Sequence, residues 1–513
     1  MQRLKALTLC AAALLAAGVE AKDRIEEHRE TVYLARDFIF IESPAIEAYL
    51  QGLCKRLLDA KGVSMAVPNI LVQSSDAFNA FVDAKQNLVI STGALRALTS
   101  EDELAALLGH ELSHLILDHP RDKDALRTLP LGMETMAAIR DTSAELKGQP
   151  ATYTSELTKY SQDGLTNSQA TNLLWSDFIA PSWNRNQESV ADQNGFELMR
   201  AAGYDPGAFA DLFTQLHDAE TKRTVRMQVM KKMLVARLRE SAAAVKTSSG
   251  TLAGDVKTAV TDDAAEKLVD GLGMFNRSYA SPDERQTALA NYASAHREKK
   301  RAPRPAMLFK ETLQEGEGGQ LMAFDAAAVA TLDALAARRT ADAKKAAEGL
   351  PATGSALPSP HLNLAVGSFG ESLGNREIGE PSARAWRASK RAPAQAFIWL
   401  ASYQARARDF QGALETLQDG RMRVGDATPF LPNLVAMARD AGNMPLARDY
   451  AQECKEASND SVTDKLRSVL SEQSTPTGLY AECVRQLREK PQQDQLTQEV
   501  IGKAKDLFRL KRK

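Results

Sequence analysis

Apolar residues recur at helical spacing from residue 44 onward. Ile46, Leu50, Leu53, Leu57 and Leu58 share one face of a helix that Ser43 and Pro44 are suited to begin. The first is a hydroxyl cap, and the second lacks an N–H at a position where none is needed. Two runs, Ile70-Leu71-Val72 and Asn87-Leu88-Val89-Ile90-Ser91, are β-branched enough to predict strands, and the turn-rich segment 74–86 between them points to an antiparallel pair. Ser100 followed by Glu101, Asp102 and Glu103 supplies a cap and an acidic first turn for a buried helix carrying Leu104, Leu107, Leu108, Leu112 and Leu115. A further helix is predicted from about residue 184 to Ala202, stopped by Gly203-Tyr204-Asp205-Pro206. Residues 207–300 read as mostly helical. The intervening segment 120–183 is polar and long for a mere connection, which leaves room for a lid.

The pattern changes after residue 349. Gly, Pro and Ser concentrate in Gly349 to Pro360, the best linker candidate in the chain. Beyond it, Phe397, Leu400, Ala401, Ala413 and Leu417 are followed 34 residues later by Leu431, Leu434, Val435, Ala447 and Ala451. Thirty-four residues is the tetratricopeptide spacing, and antiparallel helices with no named repeat are the alternative.

At the other end, Arg3 and Lys5 precede an apolar run from Leu7 to Gly18 that closes on Val19-Glu20-Ala21. This reads as a secretory signal peptide cleaved after about Ala21, since the run is short for a membrane span of about 20 residues. An uncleaved anchor is the alternative. The predicted organisation is a signal peptide over 1–21, a metal-site domain over 22–300, a helical connector and linker over 301–360, and a tetratricopeptide-like helical domain over 361–513.

Composition narrows the function. The 513 residues carry a net charge of −2, so no global positive field gathers nucleic acid. With 44% hydrophobic and 25% charged residues and a mean hydropathy of −0.32, the chain is neither disordered throughout nor a polytopic membrane protein. After cleavage three cysteines remain, Cys54, Cys454 and Cys483, too few for a disulfide framework. Cys454 and Cys483 lie in one region and are free to pair, though spacing does not show that their side chains meet.

Three of the seven histidines fall within ten residues, at 110, 114 and 119. His110 and His114 stand at i and i+4 of the predicted helix, so both imidazoles reach one point, and Glu111 is displaced enough to meet a metal-bound water without ligating the metal. A catalytic zinc needs a third protein ligand. Downstream, Glu188 and Asp192 share a helix face, so one carboxylate can ligate while the other orients a ligand imidazole, and Gly195 permits close helix approach.

These residues, with Asn79-Ala80-Phe81 and Thr92-Gly93-Ala94-Leu95 before them and Ala202-Gly203-Tyr204-Asp205-Pro206 after, resemble peptidase family M48, the gluzincin-type zinc endopeptidases. The resemblance runs from about Pro44 to Arg285. The leader, the lack of transmembrane helices and the repeat-like C-terminus bring it nearest to the periplasmic BepA-like members. It implies an α+β fold, a helix-rich zincin domain with a small β-sheet followed by an α-helical tetratricopeptide-like solenoid. It also implies one zinc per chain held by His110, His114 and Glu188, with Glu111 as general base and Asp192 behind a ligand histidine. His119, at a recurrent family position, is read as structural.

There are two departures. Where the family turns on a glycine, this chain has Val82 to Asn87, and Asn87 is expected to serve the turn. Where the family places a histidine six residues before an arginine, Tyr279 stands before Arg285. Tyr279 is then the expected donor to the oxyanion and Arg285 a fixed positive charge beside it, with a partly buried loop aromatic and a surface or helix-capping cation as the alternative.

The activity implied is zinc-dependent endoproteolysis of unfolded or misassembled envelope proteins in a periplasm. The helical repeats would recruit substrate or the outer-membrane assembly machinery. The alternative is a chaperone-like or binding module that acts mainly through those repeats.

Overall fold

The computed structural model describes residues 33–119 save 36 and 84, 185–224 save 223, 281–295, 307–336, 339–351, 357–459 and 478–487. The predicted leader, the lid segment 120–183 and Tyr279 lie outside these residues.

Helix α1 (Pro44–Ala60) begins as expected, with the Ser43 hydroxyl accepting the Ile46 N–H, and it buries Ile46, Leu50, Leu53, Leu57 and Leu58. Three strands follow, β1 (Asn69–Gln73), β2 (Ala80–Val82) and β3 (Asn87–Ser91), in the sheet order β1-β3-β2. β1 and β3 pair in parallel, Ile70 opposite Leu88 and Val72 opposite Ile90, which corrects the antiparallel expectation. The cause is β2. Segment 74–79 carries the chain past the place of β3 to the far side, where β2 makes an antiparallel hairpin that returns β3 into the middle. With a neighbour on each side, every residue of β3 is buried, and its uninterrupted apolar centre follows.

The hairpin turn is organised by Asp83 rather than Asn87. The Asp83 carboxylate accepts the N–H groups of Lys85 and Asn87 at 2.8 and 2.9 Å and the Tyr33 hydroxyl at 2.6 Å. Gln86 takes the positive φ of 61°. Asn87 opens β3 and gives its side-chain amide to Asp83.

Helix α2 (Thr92–Ala97) leads to α3 (Glu101–Ile116), where the Ser100 hydroxyl accepts the Glu103 N–H and the Glu103 carboxylate reaches back to the Thr99 N–H. This reciprocal cap fixes the start of the helix that carries the histidines. Helix α4 (Arg185–Ala202) packs along α3 and ends at Gly203, whose φ is 77°. A helical stretch covers 208–222, and α5 (Pro282–Ala295) packs on α4.

Helix α6 (Gly316–Ala336) packs against α7 (Thr340–Ala347), and it carries one fully buried carboxylate. Asp325 accepts from Ser74 at 2.6 Å and bonds His361 at 2.9 Å, with Arg96 at 3.3 Å. Three segments distant in sequence therefore meet on one anion, a buried charge stable only because it is so partnered.

Helical hairpins follow: α8 (Leu362–Ser372) with α9 (Arg376–Arg387), α10 (Ala394–Arg406) with α11 (Phe410–Val424), and α12 (Leu431–Asp440) with α13 (Met444–Asn459). Their inner turns repeat every 34 residues at Gly374, Arg408 and Gly442, with φ of 79°, 64° and 81°. Asn375, Asp409 and Asn443 come next, each accepting a backbone N–H of the second helix. A disulfide joins Cys454 of α13 to Cys483 of α14 (Gly478–Leu487).

The hairpins are bonded to the N-terminal region. Glu42 accepts from the Ser389 hydroxyl and the Arg391 N–H, Arg391 pairs with Glu47 at 2.6 Å, and Asp37 accepts the Gln395 N–H at 2.7 Å. Ser359, within the stretch expected as linker, is buried and accepts the Glu42 N–H. Buried apolar residues form one continuous cluster from Tyr33 to Cys483. Among the described residues no helix is long and apolar enough to cross a membrane.

Candidate active site

The site begins where α3 and α4 cross. A Cβ on Gly195 would stand 2.9 Å from the His110 nitrogen and 3.0 Å from the Gly109 carbonyl carbon, so only glycine allows this approach. The Asn194 side-chain amide donates to the Ser113 hydroxyl at 3.1 Å, and Ser113 donates to Gly109 O at 2.6 Å, stitching the two helices together one turn away. With the backbones this close, a side chain as short as Glu188 reaches across to the histidines.

His110, His114 and Glu188, all buried, each offer one ligand atom, and these atoms lie within 4.8 Å of one another. The two Nε2 atoms are 3.1 Å apart, and the Glu188 oxygens lie 3.6 Å from that of His110 and 3.8 Å from that of His114. Bonds of about 2.0–2.1 Å in a tetrahedron put ligand atoms about 3.3 Å apart, so this spacing fits a four-coordinate zinc with one position left open. Glu111, the next residue on α3, is buried beside them.

Behind these three side chains stands a shell of charge. His110 Nδ1 lies 2.8 Å from Asp192 Oδ1, a distance at which a carboxylate can orient an imidazole. Arg285, from the start of α5, grips Asp192 with Nε at 2.9 Å and a terminal nitrogen at 2.6 Å, and its other terminal nitrogen holds Glu188 at 2.7 Å. The ring of Phe213 backs the guanidinium at 5.4 Å. Arg285 is expected in this site from the sequence but not in this duty, because the bidentate contact depends on how α5 packs on α4.

Burial alone would raise the Asp192 carboxyl, yet Arg285 and His110 hold it down at about 2. For Arg285, burial is opposed and outweighed by Asp192, Glu188 and Glu111, which keep it protonated. Burial and Arg285 also oppose a proton on His110, and Asp192 and Glu188 outweigh them, so its proton affinity is raised. Three carboxylates, those of Glu111, Glu188 and Asp192, thus gather around one guanidinium. A donor set this rich in carboxylates is one that a dication suits.

His119, expected to be structural, touches the ligand set: its Nδ1 is 2.9 Å from His114 Nδ1. The described residues therefore bring together His110, Glu111, His114, Glu188, Asp192, Arg285 and His119.

Comparison with known proteins agrees with this geometry. Residues 44–234 match the model described as peptidase family M48. The mitochondrial metalloendopeptidase OMA1 of Schizosaccharomyces pombe is 27% identical over 172 residues, covering 34% of this chain and 44% of the relative. The beta-barrel assembly-enhancing protease of Yersinia pestis is 26% identical over 189 residues, covering 35% and 34%. Its Escherichia coli K12 counterpart is 23% identical over 181 residues, with the same coverage. The chain thus spans less than half the length of these curated relatives. Within that span, the HExxH helix, the crossing α4 and its carboxylates identify residues 44–234 as a peptidase M48 domain.

Proposed function

We propose that the chain is a zinc-dependent endopeptidase with one zinc per chain, acting on unfolded or misassembled envelope proteins in a periplasm. The observation that carries this reading is the convergence of two Nε2 atoms and one carboxylate in a buried space. Zinc bound there would polarise the scissile carbonyl and lower the pKa of a water to about 7. Glu111 takes the water proton on its carboxylate and returns it to the leaving amine. Asp192 fixes the ring of His110, and Arg285 holds Asp192 and Glu188 in register. Tyr279, six positions before Arg285, donates its O–H to the oxyanion.

The periplasmic assignment draws on the leader-like N-terminus, on the Cys454–Cys483 disulfide, which belongs to oxidising compartments, and on likeness to beta-barrel assembly-enhancing proteases. The division into a peptidase unit over 22–300, a connector over 301–360 and a tetratricopeptide-like solenoid over 361–513 draws on the 34-residue recurrence of turns. The solenoid recruits the substrate or an outer-membrane assembly partner.

The test is casein hydrolysis by Glu111→Gln, which keeps shape but cannot accept the proton. Its rate is expected to fall about 100-fold to 10,000-fold with zinc retained, and hydrolysis at the parent rate would remove Glu111 from the mechanism. In the same assay Tyr279→Phe is expected to lose about 2.7–4 kcal/mol of transition-state stabilisation in kcat with KM little changed. An unaltered kcat would leave Tyr279 as packing.

A further inference from the structure

Histidines five residues apart do not share a helix face, since they stand about 140° apart around the axis. His114 and His119 nevertheless bring their Nδ1 atoms to 2.9 Å, with ring centroids 5.0 Å apart. The way α3 ends makes this possible. Asp118 takes a left-handed φ of 47°, its N–H donates to Leu115 O at 3.2 Å, and the His119 N–H donates to His114 O at 3.0 Å. These are the paired bonds of a Schellman closure, with Asp at the left-handed position where Gly is more usual. The backbone of His119 is thereby tied to that of His114, and its ring folds back against the ligand ring.

We infer that His119 is a positioning residue for the metal site, an inference that rests on the zinc reading above. Its Nδ1 accepts the Nδ1–H of His114, which selects the tautomer whose Nε2 lone pair faces His110 and Glu188. A ligating imidazole needs its other N–H held if the ring is to keep its angle. His110 is held by a carboxylate, Asp192, and His114 by a neutral imidazole. The two ligands are therefore unequal. His110 is held by an anionic partner, while His114 is aimed without adding a further carboxylate to a site that already has three. A helix cap thus doubles as an outer support of the metal site, and a change at residue 119 acts on metal affinity rather than on the fold.

The experiment measures zinc affinity of the full chain by competition with a chromophoric chelator, and the visible spectrum of the cobalt(II)-loaded protein, for the parent, His119→Ala and His119→Asn. Asn offers an amide oxygen close to the place of Nδ1. His119→Ala is expected to bind zinc about 10-fold to 100-fold more weakly with a shifted cobalt spectrum, and His119→Asn to stay within about threefold of the parent. Parent-like zinc affinity in His119→Ala, or a loss in His119→Asn equal to that in His119→Ala, overturns the positioning role while leaving the zinc reading standing. A parent that takes up no zinc overturns that reading and this inference with it.

Discussion

Single side chains in this molecule are set by which charges they are forced to keep. Asp192 is buried and Arg285 nearly so, and each holds the other in its ionised form, so removing either deprives the other of its strongest partner. Asp37 illustrates the opposite outcome. It sits at φ 60° with its carboxylate on the Gln395 N–H, and burial lifts its carboxyl to about 7 despite that bond. Its folded pKa lies above the unfolded value of about 3.9, so its contribution to stability is full below pH 4 and is lost as pH rises through 7. Asp37→Asn keeps the acceptor and tolerates the left-handed backbone. Its stability relative to the parent, measured by urea unfolding, is expected to grow from near zero at pH 4 to about 1–3 kcal/mol at pH 8. That is below the ceiling of roughly 4 kcal/mol for such a shift, because the residue keeps some contact with water. A difference that does not change with pH would show that the carboxyl is not perturbed.

At the scale of elements, the crossing of α3 and α4 makes the site. Gly195→Ala puts a methyl group 2.9 Å from the His110 nitrogen, so the helices must part by a few tenths of an ångström or more. The expected result is a loss of about 1–3 kcal/mol in stability, with zinc affinity falling as Glu188 withdraws from the histidines, read by thermal unfolding and chelator competition. A Gly195→Ala protein with parent affinity would mean that the crossing has slack. Much at this scale was legible in the sequence. Ser43-Pro44 and Ser100 through Glu103 carry their caps in the local residue types, and His110, Glu111 and His114 carry theirs in the i, i+4 spacing. What was not legible depends on contacts between segments. β2 is three residues long, too short for an alternating pattern, and without it the pairing of β1 with β3 reads with the wrong sense. The contact of His119 with His114 needs the left-handed turn at Asp118, and Asp is an infrequent signal for one. Glu188 and Asp192 were legible as a pair, but which ligates and which orients came from family resemblance. Arg285 shows its grip only once α5 is packed.

The whole molecule is joined by polar contacts as much as by its apolar core. Asp325 binds Ser74 and His361, Glu42 binds Ser389 and Arg391, and Arg391 binds Glu47, so the helical hairpins hold the peptidase domain by its first helix and its sheet. A chain ending at residue 357 would lose His361 and leave the buried Asp325 short of a partner, besides freeing Glu42 and Glu47. It is expected to be less stable than the full chain by about 3–5 kcal/mol, measured by thermal unfolding of the peptidase transition, and an unshifted transition would show that the two regions stand independently. Zinc content of the purified chain decides whether His110, His114 and Glu188 hold a metal together. One zinc per chain is predicted for the parent after dialysis, and little or none for His110→Ala, His114→Ala and Glu188→Ala. A parent without zinc would mean that this site holds no metal, and stoichiometric zinc in any of the three variants would remove that residue from the ligand set.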